Sequence, residues 1–178
     1  MSKNSEQQYG LLSKLLHWLS ALTTIGLFAL GYWMVELDYY SEWYQGAPHW
    51  HESLGILLCF VTMFRLCWRG IAGTPKAIDS HSKTEKLASK MMISLLYLGL
   101  FAVFLSGYFI SGADGKTIAI FDWFNIPPLV LMIDNQEDIA GDIHYYLAYG
   151  LIFFTLLHAL AALKHHFIDK DTTLKRML

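Results

Sequence analysis

Four histidines, His17, His51, His144 and His158, interrupt stretches of sequence that are otherwise largely Leu, Ile, Phe, Ala and Gly. In a hydrocarbon environment an imidazole is costly, and one found there serves a function by default: a metal ligand, a proton carrier or a hydrogen bond between helices. The run "GDIHYYLAYGLIFFTLLHALAALKHH" places His144 and His158 fourteen residues apart. On an α-helix that spacing is a rise of about 21 Å with an offset of about 40°. The two rings therefore share a face at opposite depths. Arg65 stands fourteen residues after His51 and repeats the relation.

Helices long enough to cross a bilayer must position these groups. The chain has 178 residues, of which 54% are hydrophobic and only 16% charged. A hydrocarbon core needs about 20 apolar residues of helix. Residues 15–35, 91–113 and 143–163 contain no Asp, Glu, Lys or Arg, and a weaker block at 50–68 carries Glu52 and Arg65 near its ends. The fold class expected is an all-α membrane protein, a four-transmembrane-helix bundle in one domain, 1–178. The helices fall roughly at 11–35, 49–70, 87–111 and 143–166, with an outer connection at 112–142. The first block is too long for a signal-peptide core, and no A-x-A-type site follows it.

Charge sorts the connections. Twelve of the thirteen basic residues lie at the N-terminus (Lys3, Lys14), between the second and third spans, or at the C-terminus; Lys116 is the exception. The other connections hold Glu36, Asp38, Glu42, Asp114, Asp122, Asp134, Glu137, Asp138 and Asp142. The positive-inside rule puts both termini in the cytoplasm. The outer "LDYYSEWYQGAPHW" reads as an aromatic belt, and "TIAIFDWFNIPP" as a short segment on the membrane surface. A net charge of −2 implies no nucleic-acid partner. Cys59 and Cys67 form no CxxC, so they read as small apolar side chains, and covalent CxxCH haem attachment is excluded. His81 reads as a solvated loop residue, His165 and His166 as an interfacial basic pair beside Lys164, and His49 as a residue of the outer lip.

This orientation pairs the deep histidines. The first span enters from the cytoplasm, so His17 meets His158; the second enters from outside, so His51 meets His144. Zinc prefers four protein ligands, and each depth offers two. Two imidazoles are what a haem iron needs when the porphyrin fills the other four positions. Gly26, Gly31, Gly55, Gly150 and Ala159 would give a macrocycle room, and they would equally serve close helix packing. Arg65, with Lys14 nearby, reaches the depth of the cytoplasmic pair and is assigned as a propionate partner; a snorkelling arginine is the alternative. A haem so ligated has no open position and moves single electrons.

The same residues carry a resemblance to the bacterial cytochrome b561 family, short di-haem type. It runs from "YGLLSKLLHWLSA" through "HWHESLGILL" and "FRLCWR" to "GDIHYYLAYG" and "LLHALAALKHHFIDKDTTLKRM". The resemblance implies a multi-pass protein of the bacterial inner membrane with two non-covalent haem b groups. Its axial histidines fall on His17 with His158 on the cytoplasmic side, and on His51 with His144 outside. It also implies electron transfer linked to the quinone pool, with quinone or quinol as substrate, lipid around the bundle and a periplasmic redox partner. Relatives often have a histidine near the start of the third helix; Ile93 stands there in "MMISLLY". That departure bears on any quinone site built on that histidine and not on the axial set. Three functions stay open: a di-haem carrier, with superoxide oxidation coupled to ubiquinone reduction as a variant; a haem-bearing anchor subunit of a dehydrogenase or hydrogenase; and a haemless transporter or scaffold. The acidic outer connections weigh against superoxide, an anion.

Overall fold

The computed structural model describes residues 4–131 and 133–178; Lys3, counted among the basic residues above, lies outside them. Four helices carry the fold: α1 Leu11–Met34, α2 Gly46–Ala72, α3 Lys83–Ser111 and α4 Gln136–Phe167. All four are long and apolar enough to cross a membrane. They alternate in direction. α1 packs along α2 and α3 along α4, and contact between these two pairs is much slighter.

The helices overrun the apolar blocks, for local reasons. α3 begins four residues before its expected start at 87, because Ser82 and Glu85 form a capping box: the serine hydroxyl accepts from Glu85 N, and Glu85 Oε2 accepts from Ser82 N. α4 begins at Gln136, seven residues before the expected start, with Glu137 and Asp138 in its first turn. Carboxylates there face the positive end of the helix dipole, so charge that would be unwelcome in lipid favours the helix outside it. α2 starts at Gly46 and tolerates Pro48 in its first turn, where a missing N–H breaks no helical bond.

Packing is inverted relative to a water-soluble bundle. Leu15, Leu22, Phe60, Leu98, Phe153 and Leu160 face outward, while Ser20, Ser53, Thr62 and Ser106 are buried. Hydroxyls within the spans bond their own helix: Ser20 donates to Leu16 O (2.6 Å), Thr24 to Ser20 O (2.8 Å), Thr62 to Leu58 O (2.7 Å) and Thr155 to Leu151 O (2.8 Å). No water is needed to satisfy them. One leucine from each helix, Leu27, Leu58, Leu100 and Leu151, forms the central core, backed by Leu54, Leu96, Val103 and Phe104. Leu151 is seven residues, about two turns, from both His144 and His158.

The connection after α3 has regular structure of its own. Residues 118–126 form a β-hairpin, β1 Ile118–Ile120 paired antiparallel with β2 Phe124–Ile126. Alternation turns Ile118 and Ile120 inward, and Ile120 is fully buried. Phe121 and Asp122 make the corner with φ of 45° and 62°. The corner is held to α2, because Phe121 N donates to Ser53 Oγ (3.1 Å) and the Phe121 ring meets Trp50 at 5.0 Å. The opposite end is a woven plate. Tyr9 N donates to Arg176 O, Lys76 N to Glu6 O, Trp18 Nε1 to Met177 O and Arg176 Nη1 to Lys76 O. The N-terminal segment, the α2–α3 connection and the C-terminal segment thus share one end, the terminal end, opposite the hairpin end.

Candidate functional site

At the hairpin end, His51 from α2 faces His144 from α4, with ring centroids 6.2 Å apart and planes at 73°. At the terminal end, His17 from α1 faces His158 from α4, at 6.5 Å and 76°. These are the pairs that depth and direction predicted. All four rings are half-buried. α4 contributes to both sites because fourteen residues return to nearly the same face.

The support behind each ring differs. His144 Nδ1 donates to Val103 O (3.1 Å), and Ser106 Oγ lies 3.1 Å from the same nitrogen. A carbonyl accepts only, so the proton sits on Nδ1 and Nε2 carries a free lone pair. A backbone bond of this kind orients metal-ligating histidines in general. Gly107 makes the approach possible, since a Cβ there would stand 3.2 Å from His144 Cε1. His51 Nδ1 is buried with no hydrogen-bond partner, and a Cβ on Gly31 would stand 3.0 Å from His51 Cε1. On the other side of the bundle, Arg65 Nη2 donates to His17 Nδ1 (2.8 Å), and its guanidinium lies 5.5 Å from the Tyr97 ring centre. A guanidinium can only donate, so this bond puts the neutral ring's proton on His17 Nε2.

The donor set suits one metal group. A metal–imidazole bond is about 2 Å, and a further ~1 Å separates ring nitrogen from ring centre, so two rings on one ion stand about 6 Å apart. The observed 6.2 and 6.5 Å match that span. Among the described residues, neither pair has a third histidine, cysteine or carboxylate in ligating reach; the only groups of three or more lie elsewhere, around His165. A four-ligand zinc site is therefore not offered, and a planar tetrapyrrole that brings its own four nitrogens fits. A Cβ at Gly26, Gly55 or Gly150 would meet nothing within 4 Å. Close helix packing thus does not account for these three glycines. Gly31 instead admits His51.

Other histidines depart from expectation. His81 is not solvated: its side chain is 15% exposed and Nε2 bonds Asp171 Oδ2 at 2.7 Å. His165, still beside Lys164, joins the same group, with Nδ1 2.8 Å from Asp169 Oδ2 and 3.1 Å from Asp171 Oδ2. Burial pushes the Asp171 carboxyl upward, but bonds from His81 and Thr173 and the nearby His165 outweigh it and hold the group below the usual carboxylate range. The local signal was "HHFIDKD", histidines and aspartates at short alternating spacing, but its partner His81 is 90 residues from Asp171. At the hairpin end, Lys116 Nζ donates to Asp114 Oδ2 (2.7 Å), which holds the carboxyl below and the amine above their ordinary values.

The family model described as prokaryotic cytochrome b561 matches residues 8–178. The chain is similar to cytochrome b561 homolog 2 of Escherichia coli (strain K12), with 47% identity over 175 residues, 98% of this chain and 93% of that protein. It is also similar to cytochrome b561 homolog 1 of the same organism, with 29% identity over 167 residues and 92% of each chain covered.

Proposed function

The chain belongs to the prokaryotic cytochrome b561 family, multi-pass bacterial membrane proteins that transfer electrons through haem b, and from that premise we propose that it holds two haems and carries single electrons across the inner membrane in exchange with the quinone pool. The observation that carries this reading is the pair of facing imidazoles at each of two depths, each with the spacing of a six-coordinate iron site. When bound, a bis-imidazole haem takes up and releases one electron and leaves no coordination position for oxygen or substrate. His51 and His144 are the ligands at the hairpin end, His17 and His158 those at the terminal end. Val103 O and Ser106 engage Nδ1 of His144 and so leave Nε2 free to ligate.

Arg65 has a second task. While its guanidinium bonds His17 Nδ1, Nε2 bears the proton and cannot ligate. Ligation by the neutral ring through Nε2 would require Arg65 to let go, and the released guanidinium would be free to pair with a propionate. The charge asymmetry of the connections supports both termini in the cytoplasm. The acidic hairpin end, whose Lys116 is tied to Asp114, favours a neutral quinol or a basic periplasmic protein as outer partner over superoxide. An anchor role in a larger dehydrogenase or hydrogenase would use the same haems.

The test is haem quantification on purified protein. A pyridine haemochrome of protohaem at two per chain, released by acid-acetone, is expected. One haem per chain, or one retained covalently, refutes the reading. Reduction by quinol and reoxidation by candidate acceptors then fix the direction, and copurification of a dehydrogenase subunit would point to the anchor role.

A further inference from the structure

At the terminal end, three ligating atoms from three separate stretches of chain converge. His81 Nε2 comes from the α2–α3 connection, His165 Nδ1 from the last turns of α4 and Asp171 Oδ2 from the C-terminal segment, all within 4.8 Å of one another. Asp171 Oδ2 lies 2.7 Å from His81 Nε2 and 3.1 Å from His165 Nδ1. The two imidazoles stack, with centroids 4.6 Å apart and planes at 29°. The three side chains are only 15%, 16% and 10% exposed. A second oxygen, Asp169 Oδ2, stands 2.8 Å from His165 Nδ1 while also accepting from Lys164 Nζ at 2.6 Å.

Hydrogen bonding accounts for half of this arrangement. His81 bonds Asp171. His165 Nδ1, by contrast, is buried between two carboxylate oxygens and makes a properly directed hydrogen bond to neither. A buried ring nitrogen held beside carboxylate oxygens, with no directed hydrogen bond to either, is placed as a cation ligand would be. Tetrahedral ligands about 2.0–2.1 Å from one ion stand roughly 3.4 Å apart. Admitting an ion would open the 2.7 and 3.1 Å separations by only about half an ångström.

We propose that His81, His165 and Asp171 form a binding site for a divalent first-row transition cation of the zinc class, with a water as fourth ligand. Two imidazoles and a carboxylate are a borderline donor set, suited to zinc and its neighbours and unsuited to the all-oxygen preference of calcium or magnesium. Binding displaces the proton shared by His81 and Asp171, so affinity rises with pH. The ion fastens the α2–α3 connection and the C-terminal segment to the end of α4. His165 is two turns beyond His158 on that helix. The site therefore braces the helix that carries one ligand of each imidazole pair, without touching either pair.

The experiment uses the haem-loaded full chain in detergent, without a polyhistidine tag, stripped by chelator and titrated with Zn²⁺ alone. One Zn²⁺ per chain is expected. His81→Ala and Asp171→Asn are each expected to weaken binding at least about a hundredfold with haem absorbance per chain unchanged, while His49→Ala binds Zn²⁺ as the wild type does. Failure of the wild-type protein to bind stoichiometrically would show a hydrogen-bonded strap only and overturn the proposal, as would His81→Ala binding like the wild type. X-ray absorption at the zinc edge needs no variant: a first shell of two imidazole nitrogens with one or two oxygens supports the site, and an all-oxygen or sulfur-containing shell refutes it.

Discussion

His144 has a backbone carbonyl behind its ring, whereas His17 has a guanidinium, and the difference sets what substitutions should do. His144→Ala is expected to remove the haem at the hairpin end and leave the other, and His158→Ala to do the reverse; redox-resolved difference spectra of the two variants read this directly. Loss of the haem at the wrong depth in either variant would overturn the pairing. Arg65→Gln should keep both haems but lower the potential at the terminal end, since removing a nearby cation disfavours the added electron. The shift should be on the order of 60 mV, a tenfold change for a one-electron couple, and Arg65→Lys should recover most of it. The imidazole pairs were legible from sequence because an ionisable side chain in a span is rare and its depth follows from counting residues. The tautomer of His17 was not, because it depends on a contact between residues 48 apart. Nor was Gly31, whose role as the cradle of His51 appears only when two helices are seen side by side.

Helices and hairpin show a second limit. Absence of charge located the four apolar helices, but it could not locate their ends, which obey capping chemistry. "SKTE" at 82–85 states the start of α3 in full, and Ser82→Ala should cost about 1 kcal/mol, measurable as faster hydrogen exchange in the first turn of α3 with the haem spectrum unchanged. The outer segment, between the Asp114-Gly115 turn and Pro127-Pro128, read as a short surface segment. Its register was hidden: the alternation of Ile118 and Ile120 inward against α2 requires a strand, and three residues are too few to announce one. Ile120→Ala should loosen this cap by about 2–4 kcal/mol, the ordinary penalty for truncating a buried isoleucine, and expose 118–126 to protease before the helices yield.

Across the molecule, charge divides the two ends, and the consequence is measurable at the hairpin end. Salt screens fields over about 8–10 Å at physiological strength. If the outer partner is a basic protein, stopped-flow electron transfer should slow as salt rises; with superoxide it should quicken, and with a quinol arriving through lipid it should change little. Between the ends lies the leucine layer of Leu27, Leu58, Leu100 and Leu151, midway along α4 from either imidazole pair. An electron tunnels through packed aliphatic side chains. A proton needs a file of water or polar groups, and the hydroxyls of Ser20, Thr24, Thr62 and Thr155 are already turned onto their own helices. With the two haems proposed above, this layer would pass an electron more readily than a proton, and an electron crossing it unaccompanied by H⁺ would add to the voltage of the membrane.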